Sequence, residues 1–398
     1  MKKHRALFVT DSISGGVGRV ISLLSHQFLH NKCECLVMCL RESDKTTKNH
    51  INQSVSFSVL ESQSLKVYQK LIKLMIKAWS SMLCRFCECI KQSNSDYGLV
   101  FKFFYLHYEH IIALRKFIKK QQIDTVIAFL NEPIFMATLS KNKNSRLIIS
   151  ERNDPQKFES TKTTMAFIRK MYPKADCMVF QSPDAMQWYS EHSNVKGRVI
   201  FNPIKPDLPE RHTGERKRSI VNFCRISTQK NLNLLVESFA MFLHKHPDYE
   251  LYIYGDAVGN GAEGYIESVK SKVQELHISD KVHILPAKSD IHNLVLDFAM
   301  FVSSSDYEGM SNSMLEAMAI GLPTICTDCP AGGARAIIKD HENGILVPVN
   351  NAEAMCKAMG EVAENPALAE KLSINGTKIK EELAVDKIVN QWMEIING

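Results

Sequence analysis

The chain alternates short, wholly apolar runs with longer stretches in which apolar residues recur every three or four positions. Runs at Ala6–Val9, Cys35–Cys39, Val126–Leu130, Leu147–Ile149, Met178–Phe180 and Val199–Phe201 show no polar alternation, so they predict strands buried on both faces. A second series follows at Ile220–Phe223, Leu251–Tyr254, Val282–Leu285, Met300–Val302 and Thr324–Cys326. Periodic stretches between them, such as Leu232, Leu235, Val236, Phe239 and Leu243, predict helices with one apolar face. Strands alternating with helices predict parallel sheets covered on both sides. The two series are of similar size, which implies two doubly wound α/β domains.

The stretch Asn202–Arg218 separates the series with three prolines and a dense charge run. It predicts a first domain over 1–204, a linker over 205–218 and a second domain over 219–384. In open α/β sheets a ligand sits beyond the carboxyl ends of the strands, so two such domains facing each other would enclose an interdomain cleft.

One helical segment departs from this plan. Over 65–90, Lys66, Lys70, Lys73 and Lys77 fall on one stripe, opposite Tyr68, Leu71, Ile72, Met75, Trp79, Met82 and Phe86. A second basic, aromatic-rich stretch covers 102–120. Two readings stay open: a surface helix packed on its own domain, or an interfacial helix resting on an anionic membrane surface.

Composition changes this picture little. The chain has 398 residues, 45% of them apolar and 23% charged, as expected of a globular protein with more than one domain. No apolar run is long enough to span a bilayer. The apolar part of Met1–Thr10 is too short for a signal peptide and reads as the first strand, so a cytoplasmic location is expected. A net charge of +6 is modest for this length, and no zinc-finger or RNA-recognition spacing accompanies it, which argues against nucleic acid as a partner. The 11 cysteines cannot all pair within one chain. Cys84, Cys87 and Cys89 lack a fourth ligand for a metal, and Cys326-Thr-Asp-Cys329 leads into Pro330 and glycines, not a redox helix, so both clusters read as structural.

The candidate chemistry lies at three strand ends. Gly15-Gly16-Val17-Gly18 follows the first strand, where glycine lets a ligand approach the backbone. Arg225 and Lys230 close the first strand of the second series, and two cations there suit a diphosphate. Glu308 and Glu316 then bracket Gly309, Met310, Ser311, Asn312 and Ser313, a loop leading into a short helix. Free amides at a helix start bind phosphate, while carboxylates grip sugar hydroxyls. Taken singly, Glu316 also fits a Ser313-x-x-Glu316 capping box and Glu308 a solvated loop residue. A Gly259, Gly261, Gly264 spacing stands too far beyond its strand for a dinucleotide fingerprint and reads as a loop.

This ordered set, with Gly321-Leu-Pro323 after Glu316, resembles the retaining glycosyltransferases of family 4, which have the GT-B fold. The likeness is strongest from about Val221 to Val347. Ser150–Pro155 and Thr327–Arg335 also look like members that build bacterial capsule, O-antigen and exopolysaccharide chains. The resemblance implies a nucleotide-sugar donor, with UDP the expected nucleotide, and a growing, lipid-linked glycan or oligosaccharide acceptor. It implies Glu308 on the donor sugar, Glu316 on the ribose, Arg225 and Lys230 on the diphosphate, and Gly15 and Gly16 beside the phosphates. Amides around Ser311–Ser313 would add helix-terminus stabilisation. A final helix, about 385–398, would cross back onto the first domain. No cofactor or metal is expected, since the two cations can do the work of a divalent ion. Cys224 stands where the family often has glycine, and Phe129-Leu-Asn131-Glu132 replaces a common histidine, with Asn131 the expected polar substitute. Two other classes remain beside this reading: a GT-B-fold UDP-sugar epimerase and a non-catalytic subunit of the same fold.

Overall fold

The computed structural model describes residues 3–13, 15–31, 33–40, 55–60, 67–89, 96–157, 162–259 and 261–398. The chain divides into two units: Met1–Gln181 with Ala185–Ile200 and Ile388–Gly398, and Ser182–Asp184 with Phe201–Lys387.

The first unit contains β1 (His4–Thr10), α1 (Gly15–His30), β2 (Cys33–Cys39), β3 (Ser56–Val59), α2 (Val67–Cys89), α3 (Asp96–Lys120), β4 (Thr125–Phe129), α4 (Asn131–Ser140), β5 (Arg146–Ser150), α5 (Lys162–Arg169), β6 (Cys177–Phe180), all but the first two residues of α6 (Pro183–His192), and β7 (Gly197–Val199). Its sheet runs β3-β2-β1-β4-β5-β6-β7, and every pairing is parallel. Leu7 stands opposite both Leu36 and Val126, at the centre of a core that includes Leu114, Phe135 and Tyr172. The central strands are buried along nearly their whole length, which is why their sequences carry no polar alternation.

The second unit contains β8 (Lys217–Phe223), α7 (Leu232–Leu243), β9 (Glu250–Tyr254), α8 (Ala262–Glu275), β10 (Val282–Leu285), α9 (Ile291–Leu294), β11 (Phe298–Ser303), α10 (Asn312–Ala319), β12 (Thr324–Thr327), β13 (Ile345–Val347), α11 (Ala352–Glu364), α12 (Pro366–Thr377), α13 (Ile379–Glu382) and the start of α14 (Val385–Asn397). Its sheet is also parallel, in the order β10-β9-β8-β11-β12-β13. The face of α7 read from the sequence is buried at Leu232, Leu235, Val236 and Phe239.

Three strands differ from the sequence expectation. β3 is a short sheet-edge strand that no sustained apolar run announces, and β13, at the edge of the other sheet, is the apolar run Ile345–Val347 that the expected series leaves out. β7 ends at Val199, where the expected strand would begin, because the ladder to β6 pairs Gly197–Val199 with Met178–Phe180.

The proline-rich stretch carries neither helix nor strand over 205–216, yet it is tied down within the second unit. Arg216 donates to Phe298 O at 2.9 Å, to Gly321 O at 2.7 Å and to Ser373 Oγ at 3.0 Å, and Arg211 pairs with Glu370 at 2.9 Å. From Ile388 onward, α14 belongs to the first unit. There Trp392, 1% exposed, packs on Phe129 with ring centroids 5.9 Å apart, and Arg198 pairs with Glu394 at 3.0 Å.

Candidate active site

In the second unit the order of strands reverses between β8 and β11. Connections leave these neighbours in opposite directions and open a crevice at their carboxyl ends, the place where such sheets take ligands. Both clusters read from the sequence lie there. Arg225 stands two positions beyond the end of β8, and Lys230 closes a single helical turn at Thr228–Lys230. Ser304–Glu308 follow β11.

A mesh of side-chain and backbone bonds holds these two loops together. Asp306 N donates to Gln229 O at 3.0 Å, Gln229 Nε2 to Tyr307 O at 2.8 Å and Ser304 Oγ to Lys230 O at 2.9 Å. Asn231 stands in the left-handed region at φ 42°, caps α7 by accepting from Leu234 N, and donates to Asp306 Oδ1 at 2.6 Å. At the centre Lys230 Nζ pairs with Glu308 Oε1, the two side chains 11% and 16% exposed. Burial opposes the charge on Lys230, but the Glu308 carboxylate outweighs it and holds the ammonium above its ordinary value. Arg225 is exposed and makes no hydrogen bond or ion pair with a described residue.

Ser311 Oγ accepts from Met314 N at 3.4 Å, so Ser311 and not Ser313 caps α10. This replaces the capping-box reading of Glu316. That residue lies inside α10, 5% exposed, with its Oε2 3.0 Å from Nε2 of His292. His292 is itself 7% exposed and meets the Phe223 ring edge to face, centroids 5.8 Å apart. Asn312 Oδ1 accepts from Asn202 Nδ2 at 2.8 Å. Gly309 and Met310 are buried, and a Cβ on Gly333 would stand 1.7 Å from Gly309 O. The Gly332-Gly333 pair is therefore a close backbone approach under the Glu308 loop. Cys329 Sγ also donates to Ser305 O at 3.1 Å, and burial pushes its thiol up to about 12. Cys326 and Cys329 are buried free thiols. Gly259 and Gly261 have φ of 105° and 78°, and no atom lies within 4 Å of a Cβ added at either, so that loop stands open.

The first unit has its own strand-order reversal, between β1 and β4. Gly15 (φ 68°) and Gly16 are exposed at the start of α1, and an added Cβ at Gly18 would lie 1.7 Å from Ile13 O, so the following turn tolerates only glycine there. Across the reversal Leu130 takes φ 72° and ψ 167°, a conformation a side chain rarely adopts, and Asn131 begins α4. With its amide nitrogen toward Glu151, Asn131 donates to Oε2 at 3.2 Å, and the Tyr172 hydroxyl donates to the same carboxylate. Burial raises the Glu151 carboxyl, against the lowering pull of Tyr172 and Arg169. Arg152, 7% exposed, lies over the Phe129 ring at 4.7 Å, and burial draws it down to about 9.

Sequence reasoning missed His292, Gln229, Asn231 and Asn202. Each reaches the site through side-chain contacts that join distant segments, for which no local spacing exists. Cys84, Cys87 and Cys89 lie on α2, but their side chains fall outside the described residues, as does Lys66. Among the described residues no three His, Cys, Asp or Glu side chains gather as a metal site, and no helix is long and apolar enough to cross a membrane.

Residues 205–379, which include every residue of this second crevice except Asn202, match the family described as glycosyl transferases group 1. Over this stretch, a little under half of the chain, the sequence is similar to group 1 glycosyltransferases. An uncharacterised glycosyltransferase of Haemophilus influenzae is 25% identical over 289 residues, covering 71% of this chain and 79% of that one. A Campylobacter jejuni relative is 25% identical over 297 residues, covering 71% and 78%. It is named N-acetylgalactosamine-N,N'-diacetylbacillosaminyl-diphospho-undecaprenol 4-alpha-N-acetylgalactosaminyltransferase. Among solved structures, Anabaena HepE in complex with UDP-glucose superposes with a TM-score of 0.78 at 15% identity, over 99% of each chain. A substituted S. aureus TarM, in complex with fondaparinux, α-GlcNAc-glycerol and UDP, does so at 0.75 and 13%, over 99% of this chain and 100% of that one. The chain thus has the GT-B fold, with two parallel-sheet α/β domains, as its strand pattern and motifs imply.

Proposed function

We propose that this glycosyltransferase moves a sugar from a UDP-sugar to a growing, lipid-linked cell-surface glycan, with retention at the anomeric carbon. The observation that carries the reading is the convergence of Arg225, Lys230 and Glu308 on the β8/β11 reversal, next to the start of α10. Arg225, exposed and unpaired among described residues, is suited to take a diphosphate by two parallel hydrogen bonds. Lys230 adds a second positive charge. The start of α10 at Ser311–Ser313 adds its positive dipole end.

Glu308 accepts from sugar hydroxyls near the reacting carbon, and Glu316, held by His292, accepts from the ribose hydroxyls. The leaving UDP then departs into a fixed field of donors, which lowers the barrier for breaking the anomeric C–O bond. The acceptor hydroxyl bonds to that carbon on the face the diphosphate leaves, and a departing phosphate oxygen takes the hydroxyl proton. The two cations supply the charge compensation. Relatives named for alpha-linked products agree with retention from an α-linked donor. The Campylobacter name, which specifies an undecaprenol diphosphate glycan, supports a lipid-linked acceptor.

The test is a thermal-shift screen of UDP, GDP, ADP, CMP and NAD, followed by UDP release from candidate UDP-sugars. A native-state ligand raises the melting temperature. A shift with UDP, and loss of UDP release in Glu308→Ala with an unchanged far-UV spectrum, is the expected result. A shift with NAD alone, or near-normal turnover in Glu308→Ala, overturns the assignment.

A further inference from the structure

α2 is turned inside out. It lies against α3, whose other side buries Tyr108, Ile111, Leu114 and Ile118 in the first unit's core. The side of α2 that meets α3 includes Gln69, 6% exposed, and Lys73, which pairs with Glu109 at 2.6 Å and lies over the Tyr105 ring at 4.9 Å. The apolar side chains point the other way. Leu71, Ile72, Leu74, Met75 and Trp79 are 56%, 42%, 60%, 61% and 54% exposed, and α3 adds Leu106 at 56%. At about 100° per residue, the five on α2 span roughly 160° of the helix circumference.

Scattered exposed apolar residues are ordinary, but a contiguous face of five large ones marks a contact surface. Its charge says which kind. Lys70 and Lys77 are exposed along one border of the face, and no Asp or Glu occurs from Val67 to Ser81. An apolar arc carrying a tryptophan and bordered by lysines fits the boundary of a bilayer with anionic headgroups. Apolar side chains enter the acyl region there, and ammonium groups reach back to phosphates.

We propose that this face of α2 docks the glycosyltransferase on an anionic lipid surface, with Leu71, Met75 and Trp79 inserted and Lys70 and Lys77 on the headgroups. The inference deepens the reading of a lipid-linked acceptor and rests on it for its purpose, since docking would hold the first unit where such acceptors are anchored. Its test reads binding alone.

Full-length protein is floated with vesicles of phosphatidylcholine containing phosphatidylglycerol, and with phosphatidylcholine alone. Binding to the anionic vesicles, little to the neutral ones, and weakening with added salt is expected. Leu71→Glu/Met75→Glu is expected to lower partitioning roughly tenfold or more, because it places two charges in the acyl region. Because both side chains are exposed, its melting temperature should stay near that of the parent. Trp79 emission should shift to the blue with anionic vesicles, read as the difference from Trp79→Phe. Equal binding by the double-glutamate variant, equal binding to neutral vesicles, or no binding to either overturns the proposal. So does a parent chain that is dimeric in solution and becomes monomeric on Leu71→Glu/Met75→Glu, since a second copy would then cover the face. Absence of vesicle binding together with sugar transfer to a soluble acceptor would sink this inference and leave the proposed activity standing.

Discussion

The Lys230–Glu308 pair gives a sharp test of how the site is held. The two side chains are 11% and 16% exposed, and Ser305 Oγ, 3.4 Å away, is a further contact of Glu308 Oε1. Lys230→Met removes the cation and leaves a nearly buried carboxylate. Breaking a buried pair on one side costs about 3–5 kcal/mol. The remaining exposure and the serine hydroxyl place this case near the lower end, at about 3 kcal/mol. For a domain of this size that lowers its Tm by roughly 6–12 °C. Glu308→Gln removes the anion but keeps the shape, and costs about 1–2 kcal/mol, less because a lysine can move toward water. The double variant should cost less than the sum of the two, with a coupling of about 2 kcal/mol. Differential scanning calorimetry of the four proteins measures this, the second unit's transition being the one that moves. The pH dependence has a definite sign. The folded pKa of Lys230 is raised, so the stabilisation is whole below the lysine's unfolded value and is lost only as pH rises through the folded one. The coupling should therefore be constant through neutral pH and fade in strong alkali. Additive single costs of under about 1 kcal/mol would refute the reasoning, because they would show a solvated pair that does not fix the two loops.

Three further outcomes follow from named contacts. Gly333→Ala should displace the loop at Gly309, whose carbonyl lies 1.7 Å from the added Cβ, and cost about 1–3 kcal/mol with at least a roughly tenfold loss in kcat/KM. Steady-state kinetics beside a melting curve checks it, and unchanged kinetics would show that the loop yields freely. His292→Leu should weaken UDP binding roughly tenfold by freeing the Glu316 carboxylate to turn, while His292→Gln restores part of it. Isothermal titration decides, and equal affinities in all three proteins would remove Glu316 from the ribose site. Glu151→Gln should stabilise the first unit near neutral pH, because burial raises the native carboxyl, so the unfolded chain ionises first and stability is lost as pH rises from the ordinary carboxyl range toward the raised value. The gain in Tm should be small near pH 4 and grow toward about pH 7. A gain independent of pH would show that the carboxyl titrates alike in the folded and unfolded chain.

How much of this was legible in the sequence depended on whether the signal was local. The inner strands were plain because burial on both faces removes every polar residue, as at Leu7–Val9 and Val126–Phe129. Their order was not, since nothing in β1 or β4 says that they are neighbours. The motif residues were legible because each follows its strand closely: Arg225 and Lys230 after β8, Glu308 after β11. The partners that hold them were not. His292 reaches Glu316 across 24 positions, and Asn231 reaches Asp306 across 75. The cap of α10 stayed open for a subtler reason. Ser311, Asn312 and Ser313 are all good N-caps, and only the backbone at Ser311, extended at φ −78° and ψ 112°, chooses among them. α2 shows the limit most clearly. Periodicity gives a helix an apolar side and a basic side, but it has no sign relative to the rest of the molecule. The pattern that hides leucines in α7 displays them on α2, because α3 offers it Glu109 and Tyr105, not a bare apolar ridge. The half-burial of Lys73 and the exposure of Met75 are therefore one fact about what the neighbouring helix presents, and the direction of an amphipathic face can be read only once its partner is known.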